Sequence, residues 1–167
     1  LGWFDESGKQ YTSSTKVTDD NLALTAKWEV QGLSMTFDAN GGSCDKTEMK
    51  VTYGKKAGKL PEPTRDGYSF LGWYYTRNSQ EYALTSDTTI TSSISAYAKW
   101  DAFEYMILLD ARSGKCDEES VFAYCGEKIG DIPTPTRKGY YFGGWYTKPG
   151  GKGTLYTDKS LMPSKDF

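Results

Sequence analysis

Histidine is absent from the 167 residues of this chain. Imidazole acid–base catalysis and the histidine-centred triads are therefore excluded. The three cysteines are too few for a disulfide framework. With no histidine beside them and no paired spacing, they also supply no zinc ligand set, and no cofactor is implied. No apolar run approaches the roughly 18 residues that a membrane span needs, so no membrane insertion is expected of this stretch. Charge of one sign is lacking too: the net charge is −2, the pI is near 5.3, and lysines are interspersed with acids. This is not the basic footprint of a nucleic-acid binder. No Gly-x-Ser-x-Gly elbow is present. The Gly54–Leu60 stretch, rich in Gly and Lys, lacks the spacing of a phosphate loop. Asp19-Asp20 and Glu118-Glu119 are the obvious acidic pairs, and both sit in polar, solvated segments. There is no initiator Met and no visible signal peptide, and the chain opens in mid-motif, so it reads as a fragment of a longer protein.

What the chain does have is repetition, which takes precedence over local reading. Leu60 to Tyr74, LPEPTRDGYSFLGWY, returns at Ile132 to Tyr146 as IPTPTRKGYYFGGWY, and its tail opens the chain as LGWF. Trp3, Trp73 and Trp145 recur 70 and then 72 residues apart, and Trp28 and Trp100 are again 72 apart. From Asp38 to Tyr74 the middle copy aligns without a gap on Asp110 to Tyr146. Repeats of this length argue for small modules in series: the second half of one over residues 1–28, a complete one over 33–100, and one over 103–167 that lacks its last strand. Such modules bury little surface, and 13 Tyr and 5 Trp supply large buried area per residue.

Period-two alternation marks the strands. Leu22, Leu24, Ala26 and Trp28 make a half-buried strand, followed by a short linker from Glu29 to Gly32. In the complete repeat, Leu33, Met35 and Phe37 form a first strand and Met49, Val51 and Tyr53 a second, antiparallel to it. Between them Asp38-Ala-Asn-Gly-Gly42 is a turn; the later acidic ligands of a calcium loop are missing. Gly54 to Leu60 allows at most a short helical turn, and Pro61 and Pro63 enforce an extended run. Asp66-Gly67 turns into a third strand, Tyr68 to Tyr75. Strict alternation puts Tyr68 and Phe70 on one face and Trp73 on the other, and a bulge at Gly72 restores Trp73 to the core side. Asn78 to Ser93 is polar and turn-rich, and Ala96, Ala98 and Trp100 close the unit. The third copy repeats the plan with Tyr105, Ile107 and Leu109, then Val121, Ala123 and Cys125. The packing signature is Gly67, Tyr68, Phe70, Gly72 and Trp73, matched by Gly139, Tyr140, Phe142, Gly144 and Trp145, with Trp28 and Trp100 ending the closing strands. Three cysteine arrangements remain open: a Cys116–Cys125 bridge across one hairpin, free thiols with Cys125 as a small buried hydrophobe, and a Cys44–Cys116 bridge between modules.

Phe37-Asp-Ala-Asn-Gly-Gly42, Val51-Thr-Tyr-Gly54, Leu60-Pro-Glu-Pro-Thr-Arg65, Gly67-Tyr-Ser-Phe-Leu-Gly-Trp-Tyr74 and Tyr97-Ala-Lys-Trp100 resemble the Listeria–Bacteroides repeat, also called the internalin B-repeat. The tail Leu161-Met-Pro-Ser-Lys-Asp-Phe is similar to the segment before that family's last strand. The resemblance covers nearly the whole chain. It implies a mainly β (α+β) fold: tandem β-grasp-like modules of about four strands with a short helical turn. It also implies an extracellular setting on the surface of bacterial or other microbial cells, with no catalytic residues to transfer. Gly143 in place of Leu71 and Cys125 in place of Tyr53 are the departures.

The first functional expectation is a stalk or adhesin segment whose partner is a protein or glycan of a host or neighbouring cell, or another copy of itself. A carbohydrate-binding module is the second, should the Trp73-Tyr74-Tyr75 aromatics be exposed; recurrence of Trp73 at a fixed place favours a core role, and the variable Tyr75 and Tyr141 fit surface contacts better. In a third, residues 1–28 of one chain add strands to residues 103–167 of the next, making a filament.

Overall fold

In the middle copy the alternating runs do form strands, because they present one apolar row to the interior and one polar row to water. In the computed structural model, residues 2–18 and 21–164 are described. Leu1 of the opening LGWF, the Asp19-Asp20 pair and the last three residues of the tail lie outside them. In chain order the strands are β1 (Gly2–Phe4), β2 (Gln10–Tyr11), β3 (Thr25–Lys27), β4 (Gly32–Asp38), β5 (Glu48–Thr52) and β6 (Tyr68–Arg77). They continue as β7 (Gln80–Leu84), β8 (Ile94–Ala102), β9 (Glu104–Leu108), β10 (Ser120–Tyr124), β11 (Trp145–Lys148) and β12 (Lys152–Tyr156).

The middle copy is a five-stranded sheet in the order β5-β4-β8-β6-β7. Two antiparallel hairpins, β4–β5 and β6–β7, flank β8, which runs parallel to β4 and antiparallel to β6. Between Phe70 and Gly72 the β6–β8 register slips. Gly72 takes φ 132 there, a conformation that side chains disfavour, and the slip turns Trp73 onto the core side. Trp73 is 2% exposed, its Nε1 donates to the carbonyl of Pro61 at 2.7 Å, and its ring meets Phe37 edge-on at 4.9 Å. Met35, Leu84, Ile90, Ala96 and Ala98 complete the buried interior around it.

Two expectations for this copy are corrected. It has five strands rather than about four, because β7 forms within the polar stretch after Asn78. The strand is exposed except at Leu84, so little apolar alternation marked it. Nor does Gly54–Leu60 form a helical turn; no helix occurs among the described residues. Its amides bond sideways instead: Gly54 donates to Ile90, Ala57 to Thr88 and Gly58 to Ser86, at 2.8 to 3.0 Å. Gly54 and Gly58, both at φ 73, break any helical run.

The opening segment reproduces the far half of this sheet. Gly2, Trp3 and Phe4 pair with Lys27, Ala26 and Thr25, as Gly72, Trp73 and Tyr74 pair with Lys99, Ala98 and Tyr97. The half-buried strand expected from Leu22 to Trp28 shortens to three exposed residues, with Leu22 and Leu24 partly covered before it. Without a β4–β5 hairpin against it, this sheet leaves Trp3 57% and Trp28 85% exposed. In the third copy β9–β10 and β11–β12 are separate hairpins, and no strand lies between β9 and β11 among the described residues. Val121, Ala123, Ile129 and Met162 form its small core.

Trp73→Ala is expected to destabilise the middle copy by about 3–5 kcal/mol. Urea denaturation followed by circular dichroism measures it, and an unchanged midpoint would remove Trp73 as the anchor.

Candidate functional site: the joint and the exposed edges

No linker separates the middle and third copies. Asp101 and Ala102 belong to β8, and Phe103 alone stands between β8 and β9. The amide of Phe103 donates to the carbonyl of Gly67 at 2.9 Å, and the carbonyl of Phe103 accepts from the amide of Cys125 at 2.9 Å. Tyr68 Oη donates to the carbonyl of Cys125 at 3.0 Å, which ties the two copies through a side chain as well. The guanidinium of Arg65 lies 3.8 Å over the Tyr68 ring and fixes its direction. Two glycines make the approach possible. A Cβ on Gly67 would collide with Cys125 Sγ, and one on Gly126 would stand 2.6 Å from Tyr68 Oη. Both take positive φ, 80 and 76, so other residues are doubly disfavoured.

The signature residues thus divide between two tasks. Phe70 (5.5 Å from Trp73 and 5.4 Å from Trp100), Gly72 and Trp73 serve the interior. Trp100 Nε1 donates to the carbonyl of Ala39 at 2.9 Å and pins the end of β8 to the Asp38 turn. There Asp38 Oδ1 accepts the amide of Asn40 at 2.8 Å. Gly67 and Tyr68 serve the joint. In the third copy Phe142 and Trp145 keep their edge-to-face contact at 5.3 Å, and Trp145 Nε1 keeps its bond to Pro133 at 2.9 Å. Gly144 takes φ 117, Gly139 φ 81, and Tyr140 faces solvent beneath Arg137. Arg65, Phe103 and Gly126 were not singled out in the sequence; the returning Thr-Arg-x-Gly-Tyr of both copies was the available signal for Arg65.

The structure does not join Cys116 and Cys125, and all three cysteines are free thiols. The β9–β10 register explains the separation. Ser120 faces Leu108 and Tyr124 faces Glu104, so Cys125 lies past one end of the hairpin while Cys116 lies in the connection at the other. The five residue steps from Ser120 to Cys125 span about 17 Å, far more than a disulfide bridges. Cys125 is buried against Gly67 at the joint.

Trp73 is unavailable for stacking on a sugar. Tyr75 stacks on Tyr82 at 5.6 Å, and Tyr141 is fully exposed. No group of three or more potential metal ligands occurs among the described residues, and no helix there is long and apolar enough to cross a membrane. A surface network lies on the middle sheet, where Tyr97 and Lys99 of β8 both donate to Glu81 of β7. The bond from Lys99, then that from Tyr97, holds the Glu81 carboxyl below its ordinary 4.5. The same Glu81 bond raises Lys99 above 10.5 and Tyr97 above 10.0.

Short strands in repeated units, the middle and third joined without a linker, define a tandem β-repeat protein. The sequence model of the Listeria–Bacteroides repeat domain matches residues 34–99 and again 105–167. The chain belongs to that family. It is 30% identical over 147 residues to a putative membrane protein of Evansella cellulosilytica, covering 87% of this chain and 22% of that protein. A putative Gly-rich membrane protein of the same organism is 29% identical over 150 residues, covering 87% and 17%. Internalin H of Listeria monocytogenes is 34% identical over 76 residues, covering 44% and 13%. The chain therefore spans about a fifth or less of these relatives' lengths. No solved structure matches it.

The Glu81 network yields a pH prediction. A lowered carboxyl stabilises the fold above its ordinary value and loses that contribution as pH falls through the folded value; the raised Lys99 and Tyr97 contribute below their ordinary values and lose it as pH rises. The gap in Tm between wild type and Glu81→Gln is expected to be widest between 4.5 and 10.0 and to narrow outside that range. The network is exposed, so the gap should also shrink with added salt. A gap independent of pH would rule the network out as a contributor.

Proposed function

We propose that this chain is a non-catalytic repeat segment of an extracellular, cell-surface protein, acting as a stalk and adhesive or protein-interaction module. Its units are residues 1–28, 33–100 and 103–167, and each is β-grasp-like. β8, parallel to β4 and held between the β4–β5 and β6–β7 hairpins, supports that description of the complete unit. Family membership, with an internalin among the relatives, supports a surface role and contact with another protein. The putative membrane-protein names of the other two relatives fit attachment at a cell boundary.

The observation that carries the stalk reading is the joint. Passage from β8 to β9 through Phe103 alone, with hydrogen bonds on both sides of it, fixes one copy on the next. A stalk needs that, because a flexible linker would let successive modules fold back. Small-angle scattering of the whole chain is expected to give a rod-like profile that ionic strength leaves unchanged. A profile of freely jointed beads would sink the reading.

The third copy favours a second reading, strand addition. Between β9 and β11 runs a groove of about 710 Å³ lined by Ile107, Leu109, Phe142, Trp145 and Tyr156. It corresponds to the place β8 holds in the middle copy, and Leu22 to Trp28 carries the same alternating pattern as β8 with an exposed Trp28. A peptide of that sequence, added in excess, is expected to protect the amides of β9 and β11 from hydrogen exchange. Absence of protection at saturating peptide discards strand addition.

A further inference from the structure

The outward face of the β9–β10 hairpin differs in kind from the same face of the middle copy. These strands turn Tyr105, Ile107, Val121 and Ala123 toward the core of the third copy. The alternate row points away from it, and that row is apolar: Met106 is 57% exposed, Leu108 74%, Phe122 58% and Tyr124 47%. Phe122 stands directly opposite Met106, with Leu108 at one end of the ladder and Tyr124 at the other. Facing side chains lie about 5 Å apart across a ladder, so the four make one continuous patch. Scattered apolar groups on a surface are ordinary, whereas a contiguous patch marks a contact. At the repeat offset the middle copy carries Ser34, Thr36, Lys50 and Thr52 in these places.

The fold itself leaves this face open. In the middle copy β8 lies beside β4 and the third copy follows, yet Thr36, Lys50 and Thr52 remain exposed. The third copy keeps its patch exposed although the middle copy precedes it through the joint. Neither a closing strand nor a neighbouring copy on either side covers the face.

Acids rim the patch. Glu104 faces Tyr124 across the ladder. A bond to Glu104 is the first cause that raises the Tyr124 hydroxyl above its ordinary 10.0, and the charges of Asp101 and Glu127 add to it. Asp117, Glu118 and Glu119, all exposed, lead into β10 at the Leu108 end. From Asp101 to Asp131 there are eight acids and three bases, a net charge of −5. The aligned stretch from Glu29 to Lys59 has four acids and five bases, a net charge of +1.

We propose that the outward face of β9–β10 docks a partner protein that presents an apolar segment flanked by Lys or Arg. Charge decides among the occupants. An anionic lipid surface carries the sign of the rim. A second copy apposing the same face sets Glu104, Glu118 and Glu119 against like charges. The corresponding face of the middle copy has the opposite sign, but no large apolar side chain to cover Met106 and Phe122. A cationic amphipathic segment matches both the patch and its rim. This surface specifies the protein-interaction role proposed above and rests on that reading, not on the stalk.

Titration calorimetry of the whole chain with an amphipathic Leu–Lys peptide is the test, beside a Leu–Glu peptide of the same pattern. The Leu–Lys peptide is expected to bind, and to bind more weakly as salt is added. The Leu–Glu peptide is expected not to bind. Phe122→Thr combined with Met106→Ser removes apolar surface, keeps the rim's charge and is expected to weaken binding about tenfold or more. Glu118→Gln combined with Glu119→Gln leaves the patch intact and is expected to weaken it several-fold. Thermal unfolding of each variant identifies any loss that comes from misfolding. A wild-type chain that does not bind the Leu–Lys peptide overturns the proposal. Binding that survives Phe122→Thr with Met106→Ser also overturns it, while leaving an interaction module whose contact lies elsewhere. Equal binding of the Leu–Glu peptide overturns the charge match. Self-association in sedimentation velocity that the same double variant abolishes gives the face to a second copy instead.

Discussion

The structure depends on inserting β8 between two hairpins that cannot bury their apolar faces without it. A lone hairpin is marginal in water, and each hairpin here ends its sheet on one side with unpaired amides and carbonyls. β8 supplies both needs at once. It pairs with β4 on one side and β6 on the other, and its inward row, Ile94, Ala96 and Ala98, is modest in size. Small inward residues are a condition of the fit, because Met35, Phe37 and Trp73 fill the interior beneath them. The same logic accounts for the flanking copies. Where the opposing hairpin is absent from the sheet, as around β1 to β3, the equivalent Trp3 and Trp28 stay in water.

A second consequence follows from where β8 ends. It pairs with β6 as far as Tyr68 opposite Ala102, so the strand that closes one unit delivers the chain directly to the first strand of the next. The joint uses groups already committed by the fold: the carbonyl of Gly67 at the start of β6, the amide of Phe103, and the turn after β10. Little extra sequence is needed to orient one unit on the other, beyond two glycines for the close approach and a tyrosine for the side-chain bond. Orientation between repeats is thus encoded inside the repeat.

Much of the strand layout could be read from the sequence, because period-two rows are a direct image of a sheet with one buried face. Leu33, Met35 and Phe37, and Ala96 with Ala98, are examples. β7 left less of a trace: only Leu84 is buried along it, and its partner on β6 carries the apolar load. The helical turn expected over Gly54–Leu60 failed for a reason that local sequence does not hold, since its amides find partners some thirty residues away at Ser86, Thr88 and Ile90. The length of the Leu22–Trp28 strand and the exposure of Trp28 likewise depend on which strands stand opposite. Tertiary context, not propensity, decided each case. The joint was half legible. Gly67 and Tyr68 stood out by recurrence, but recurrence alone does not tell a residue that packs its own unit from one that packs the neighbour.

That distinction bears on function. In an enzyme, a motif returning at a fixed period would mark a repeated chemistry, and the groups within it would converge on a substrate. Here the returning groups converge on the chain itself: Trp73 on Pro61, Trp100 on Ala39, Tyr68 on Cys125. Their hydrogen-bonding capacity is spent on holding shape. What remains outward is variable between copies, such as Leu71 against Gly143. A protein built this way keeps spacing and direction along its length and leaves its lateral surface free to differ from one unit to the next, so that length is set by the number of units.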